Sequence, residues 1–320
     1  MKQLITWQFI KTSLEKKLDV ILLYVLESKG SSPGRQGFMM AVNSKNEMQG
    51  SIGGGIMEHK FVELAKEKLK ENSVESIVRK QVHSKSAAAN QSGMICSGEQ
   101  TLFIYRVKEN DTKAIRGIIS CLQENKTGTL QLLPDKILFT EAITSAQFIF
   151  KYIDEKNWEY TECLGYKNHL FIIGGGHCAL AFSKLMSTMN FYIHVFDDRK
   201  DLNTFLENDV ANEKTILQNY TELVSLIPSG KNNYVVLMTF GYRTDALALR
   251  AVIDKELKYL GMLGSKEKIR QLFKELKEEG ISSEKIDKVH APIGIDIKSE
   301  TPEEIAVSIA AEIIKVKNRD

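Results

Sequence analysis

Two kinds of hydrophobic patterning divide the chain. In the first half, short apolar runs are separated by turn-forming residues. In the second, short apolar runs alternate with stretches of helical periodicity. The first-half pattern predicts a helix over 3–17 and strands over 20–27, 38–42 and 48–52. A second helix should run from the glycines at 53–55 to about residue 70, with Ile56, Phe61 and Leu64 on its apolar side. The three strands read as a small antiparallel meander. Residues 83–100 are small and polar and read as a loop. A strand over 101–107, a helix over 111–125 and strands over 127–133, 137–140, 148–153 and 158–164 follow, and 165–169 reads as a linker.

Beyond the linker, strands are expected over 170–173, 193–196, 215–217, 234–238 and 260–263. Between them Ala179, Leu180, Phe182 and Leu185 recur at helical spacing, and helices are expected through 247–252 and 266–277. The last helix opens on a capping box, Thr301 with Glu304, has Pro302 at its first position, and should bury Ile305, Ile309 and Ile313. Apolar runs without alternation belong to strands covered on both faces, hence to a parallel sheet between helix layers. The expected fold class is therefore α/β: a C-terminal Rossmann-like parallel sheet with helices on both faces, residues 168–320, preceded by an N-terminal α+β domain, residues 1–165.

Candidate chemistry gathers where strands end. Gly174, Gly176 and Ala179 spell GxGxxA between a strand and a helix, and Asp197 follows Gly174 by 23 residues at the end of the next strand. A dinucleotide fold uses such glycines for a sharp turn and for close approach of phosphate to backbone amides, and the acid for a ribose hydroxyl. On that reading Asp197 repels a 2′-phosphate, Arg199 offsets the repulsion, and NAD-like ligands bind no worse than NADP-like ones. His177, Thr239 in TFGYRTD, and Gly264 with Ser265 fall along the same strand-end edge. In the first half, GSIGGGIME brings Gly53, Gly54, Gly55 and Glu58 to a second strand–glycine–helix turn, and GSSPGRQG carries one cation, Arg35. Cys96 sits in the glycine–serine loop GMICSGE, where a thiolate could approach a metal or a sulfur.

Composition removes several classes. With 43 basic and 41 acidic residues and no basic block, no nucleic-acid partner is expected. No apolar run reaches the roughly 18 residues of a bilayer span, so no membrane partner is expected. The first 17 residues, amphipathic and of mixed charge, match neither a signal nor a transit peptide. Cys96, Cys121, Cys163 and Cys178 are widely spaced, which argues against a disulfide scaffold or a zinc site. The chain reads as cytoplasmic.

Taken together, GSSPGRQG, GSIGGGIME, GMICSGE, IIGGGHCALA, VFDDR, GMLGSKEK, HAPIGIDI and TPEEIAVSIAAEI make the chain resemble the xanthine dehydrogenase accessory protein family, XdhC/CoxI, over nearly its whole length. The resemblance implies a molybdenum cofactor (molybdopterin)-binding chaperone that turns over no substrate itself. It implies as partners a molybdenum hydroxylase such as xanthine dehydrogenase and a cysteine desulfurase, with assembly as a homodimer. The implied cofactor-binding residues are Arg35, Gly53, Gly54, Gly55, Glu58, Cys96, Gly174, Gly176, His177, Asp197, Arg199, Thr239, Gly264 and Ser265, with Cys96 a candidate molybdenum ligand. Two positions depart from the family pattern: Ile56 stands where a cysteine is common, and Phe240 where a histidine is common. The alternative from the residues alone is an NAD(P)-dependent oxidoreductase that uses Gly174, Gly176 and Asp197. A third reading is a structural partner with an empty Rossmann site.

Overall fold

The computed structural model describes residues 2–71, 76–82, 98–144 and 146–319. The chain divides into two compact units, Met1–Gly165 and Tyr166–Asp320.

The first unit runs α1 (Lys2–Glu15), β1 (Val20–Lys29), β2 (Met39–Asn43), β3 (Met48–Gly50), α2 (Gly55–Lys70), β4 (Ile77–Val82), β5 (Glu99–Arg106), α3 (Thr112–Gln123), β6 (Gly128–Leu133), β7 (Lys136–Thr140), β8 (Phe148–Asp154) and β9 (Asn157–Leu164). One antiparallel sheet has the order β3-β2-β1-β5-β4, and a second, four-stranded and also antiparallel, has the order β7-β6-β9-β8. β1 is apolar at almost every position because both of its faces are covered. Leu22, Tyr24 and Leu26 join the core with Trp7, Phe103 and Trp158. Ile21, Leu23 and Val25 join the one built on Met57, Phe61, Val62 and Ala65 of α2.

Three expectations change here. β4 is an addition: IVRKQV carries Arg79 and Lys80 in mid-strand, and it pairs on one side only, as a charged sheet edge that discourages further pairing. Ile56 does not face the core but is 58% exposed; the buried stripe of α2 is shifted to Met57, Phe61, Val62 and Ala65. The linker is shorter than its composition suggests, because Asn168 and His169 already pair as part of the next strand.

The second unit runs β10 (Asn168–Ile173), α4 (His177–Met186), β11 (Phe191–Asp197), α5 (Asn203–Leu206), β12 (Glu213–Ile216), α6 (Leu223–Leu226), β13 (Gly230–Leu237), α7 (Tyr242–Val252), β14 (Leu257–Met262), α8 (Lys266–Glu278), α9 (Ser283–Ile286) and α10 (Pro302–Lys317). Its five strands are all parallel in the order β12-β11-β10-β13-β14. Successive residues of β10 feed opposite cores: Phe171 and Ile173 pack with α7 and α8, Leu170 and Ile172 with α4 and α10. In α10 the buried side is Ala306, Ser308, Ile309, Ala310 and Ile313, with Ile305 half-buried at its rim. Chain order departs from β10 in both directions, to β11 and to β13. Ligands of such sheets bind at that switch point, beyond the strand carboxyl ends.

Candidate functional site

In the second unit the switch point is built by glycine. Gly174 has φ +114°, and a Cβ there would lie 2.2 Å from the Met238 carbonyl oxygen, so the turn after β10 can press directly on the end of β13. Gly175 is gripped on three sides: Thr204 Oγ1 donates to its carbonyl at 2.6 Å, the Phe205 ring abuts its Cα, and its amide donates to Asp197 Oδ2 at 2.6 Å. Gly176 and His177, at the start of α4, are open instead: nothing lies within 4 Å of a Cβ built on Gly176, and His177 is exposed.

Asp197 is buried. Besides the Gly175 amide it accepts from the Arg199 amide (2.9 Å), Arg199 Nε (2.8 Å) and Arg199 Nη2 (2.8 Å). Burial pushes its carboxyl up, but these donors outweigh it and hold the group below the ordinary aspartate value. The Arg199 guanidinium lies over the Phe240 ring, 4.7 Å from its centroid. Thr239, one residue earlier, locks its own loop: its amide and hydroxyl donate to Asp245 Oδ1 at 3.1 and 2.7 Å. Burial raises the Asp245 carboxyl even so. Strand ends β10, β11 and β13 thus meet through Gly174, Gly175, Asp197, Arg199 and Phe240. Gly264 and Ser265 have a simpler role, in which the Ser265 hydroxyl caps α8 by accepting from the Lys268 amide at 3.4 Å.

In the first unit a second knot of backbone forms. A Cβ on Gly53 would lie 2.4 Å from the Gly34 amide nitrogen, one on Gly34 2.0 Å from the Ile52 carbonyl, and one on Gly98 2.6 Å from the Ser31 carbonyl. The loop 30–37 is therefore seated against both the glycine turn and the start of β5. Gln100, 1% exposed, ties the knot by donating to the Ile52 carbonyl at 3.0 Å. Glu58 closes the turn from within, accepting from Ser51 Oγ (2.7 Å), the Ile52 amide (2.8 Å) and the Gly54 amide (3.0 Å). Gly53 donates to Ser51 Oγ. Amides expected to face a ligand are thus spent on the chain's own side chains. Arg35 remains exposed, its Nη1 on the Gly30 carbonyl at 3.2 Å. Cys96, the candidate thiol, lies outside the described residues.

Nothing in the sequence alone singles out Gly34, Gln100, Gly175 or Phe205. The glycines are visible there, but only the fold shows which of them touch backbone. Among the described residues no group of three His, Cys, Asp or Glu could hold a metal ion, and no helix is long and apolar enough to cross a membrane.

Comparison with known proteins agrees with this architecture. Residues 170–313 match the XdhC Rossmann domain and residues 13–79 the XdhC and CoxI family. The chain is 26% identical over 309 residues to the uncharacterized protein YqeB of Escherichia coli K12, covering 95% of this chain but only 44% of that protein's length. It is 21% identical over 324 residues to a probable xanthine dehydrogenase subunit of Bacillus subtilis 168, covering 96% of each. The crystal structure of a xanthine dehydrogenase from Bacillus halodurans superposes with a TM-score of 0.73 at 21% identity, over 98% of this chain and 96% of that one, a likeness of fold. Each half matches a model of this family, and the chain belongs to the XdhC/CoxI family.

Proposed function

We propose that the chain binds molybdenum cofactor and serves the maturation of xanthine dehydrogenase or a related molybdenum hydroxylase. The observation that supports this most is the backbone knot of the first unit, in which the family's glycine–serine–proline loop, its glycine turn and Gly98 of its cysteine motif are in direct contact. The name of the Bacillus subtilis relative, which describes it as part of a probable xanthine dehydrogenase, points the same way.

The residues fit the anionic end of a pterin cofactor in one respect and not in another. Gly54 has nothing within 4 Å of a built Cβ, and it follows Gly53, which touches Gly34 beside the exposed cation Arg35. Open backbone next to a guanidinium suits a phosphate. The amides of Ile52, Gly53 and Gly54 do not serve it, being already paired. When bound, the cofactor supplies a molybdenum centre on a dithiolene. Arg35 would offset phosphate charge, and Cys96 is the candidate thiolate toward the metal. A recipient hydroxylase, a cysteine desulfurase as sulfur donor, homodimeric assembly and a cytoplasmic setting belong to the same proposal.

The test is cofactor retention. Wild type, Cys96→Ser and Arg35→Ala are purified from cells that make molybdopterin, and bound pterin is quantified after oxidation. Each variant is expected to lose most of the co-purifying cofactor at an unchanged melting temperature. Equal cofactor in all three, or none in wild type, would sink the reading.

A further inference from the structure

Four successive residues at the end of β11, Asp197, Asp198, Arg199 and Lys200, carry two negative and two positive charges. The fold presents them unequally. An ionised carboxylate has about four lone-pair positions. Asp197 uses all of them, on the Gly175 amide, the Arg199 amide, Arg199 Nε and Arg199 Nη2. A ribose diol arriving at this strand end finds no acceptor on Asp197 unless Arg199 is first displaced.

The donors point the other way. Arg199 spends Nε and Nη2 inward, while its Nη1 has no hydrogen-bond partner among the described residues and its side chain stays 37% exposed. Lys200 is exposed and makes no ion pair among the described residues. Beneath the guanidinium, the Phe240 ring is 63% exposed. Two carboxylates oppose an incoming anion: Asp198, 3.9 Å from Arg199 Nε and with its side chain 31% exposed, and the exposed Asp201, next to Lys200 in the chain. The strand end therefore offers N–H donors and a flat cation–ring stack, with its buried acid silenced.

We propose that this edge of the second unit takes a 2′-phosphorylated adenine nucleotide. The phosphomonoester is held by Arg199 Nη1 with Lys200, and the base lies on the free face of the Arg199–Phe240 stack. An arginine near the second strand end is the usual means of accommodating a 2′-phosphate. This reverses the preference that an acidic strand end suggests from sequence, and it is independent of where a pterin binds.

The experiment compares matched pairs. NADPH and NADH are titrated by nucleotide fluorescence, and 2′,5′-ADP and 5′-AMP by calorimetry. The phosphorylated member of each pair should bind at least about tenfold tighter. Arg199→Ala removes the Nη1 donor and half of the stack and frees two of the four acceptor positions of Asp197, so NADPH weakens far more than NADH and the ratio collapses toward one. Phe240→Ala, at an exposed ring, should weaken both ligands by a similar factor and keep the ratio. Lys200→Ala should weaken only the phosphorylated ligands, which decides the matter even if Arg199→Ala fails to fold. NADH binding as well as NADPH, no binding of either at about 1 mM, or a ratio unmoved by both Arg199→Ala and Lys200→Ala would overturn the proposal.

Discussion

Each unit of this protein sends a strand into three glycines and then a helix, and each turn is filled by a carboxylate of its own chain. The two solutions differ in reach. In the first unit the acid is Glu58, four residues after Gly54 and in the first turn of the same helix, where a negative charge also suits the helix dipole. In the second it is Asp197, brought from the neighbouring strand and paired with a guanidinium. The first arrangement needs only local sequence and organises one helix start. The second holds β10, β11 and the loop after β13 together, so it can exist only once the sheet has formed. Similar glycine strings thus give a local cap in one place and a tertiary tie in the other.

The contrast is tested most severely at the glycines. Gly174→Ala must place a methyl 2.2 Å from a backbone carbonyl at φ +114°, and neither can give way cheaply. A loss of more than about 3 kcal/mol is expected. Two residues on, Gly176→Ala meets open space at an ordinary φ of −72° and should cost under about 1 kcal/mol, as the change of one cap residue. Urea denaturation of the two variants side by side checks this. Comparable losses would mean that Gly174 is not pressed against the end of β13.

The acids come next. Asp197→Ala leaves the half-exposed Arg199 with only Asp198, 3.9 Å away, and the buried Gly175 amide unpaired, at a cost of about 2–3 kcal/mol. Glu58→Ala removes hydrogen bonds from an accessible turn that water can re-pair, and about 1–2 kcal/mol is expected. Because the Asp197 carboxyl is held below its ordinary value, its contribution is full above that value and is lost as pH falls through the folded-state pKa. The gap between the two variants should therefore narrow in acid. Melting curves across an acid series measure it.

What can be read from sequence follows the same division between local and tertiary. β1 is legible because both its faces are buried and seven apolar residues in a row leave little choice. β4 is not, because Ile77, Val78 and Val82 are interrupted by the exposed Arg79 and Lys80 of an edge strand, which leaves no continuous apolar run. The capping box of α10 is legible from three residues, and the structure shows both of its hydrogen bonds. The place of Asp197 is legible from its spacing to Gly174. Its occupation is not, since whether a carboxylate faces a ligand depends on how Arg199 folds back, and nothing local decides that. Helical periodicity alone assigns Ile56 to the core, and a shift of one position is enough to defeat that assignment.

Away from the turns the contrast recurs in two further acids. Glu312 of α10 accepts from His290 Nδ1 (3.0 Å), Tyr259 (2.5 Å) and the Gly294 amide (2.8 Å), which fixes the HAPIG segment against the last helix. Burial pushes the carboxyl up, yet these donors bring it down from 4.5 to about 2. A depressed acid stabilises the fold above its ordinary pKa and ceases to do so as pH falls toward the folded value. Glu312→Gln is expected to cost about 2–3 kcal/mol near neutrality and little below about pH 2. A pH-independent loss would show that the role is steric.

Glu162 in the first unit is the opposite case, and the smallest effect. It is buried, and its partners are neutral: the hydroxyls of Tyr24 and of Tyr160 (2.8 Å), and the Gln3 side-chain amide (3.0 Å). Burial dominates these donors, and the carboxyl is raised. The sign is therefore reversed. The contribution of Glu162 is full below the ordinary glutamate pKa and is lost as pH rises through the raised folded value. Glu162→Gln keeps a carbonyl for the two tyrosines and removes the cost of a buried charge. Gln3 must turn its amide over, giving up a 3.3 Å bond to the Gly37 carbonyl. The net change should be within about 1 kcal/mol, slightly destabilising near pH 4 and neutral to stabilising near pH 8. Chemical denaturation at the two pH values decides it. If the variant is destabilised more at the higher pH, Glu162 is ionised and well held, and the first unit ionises its buried acids as the second does.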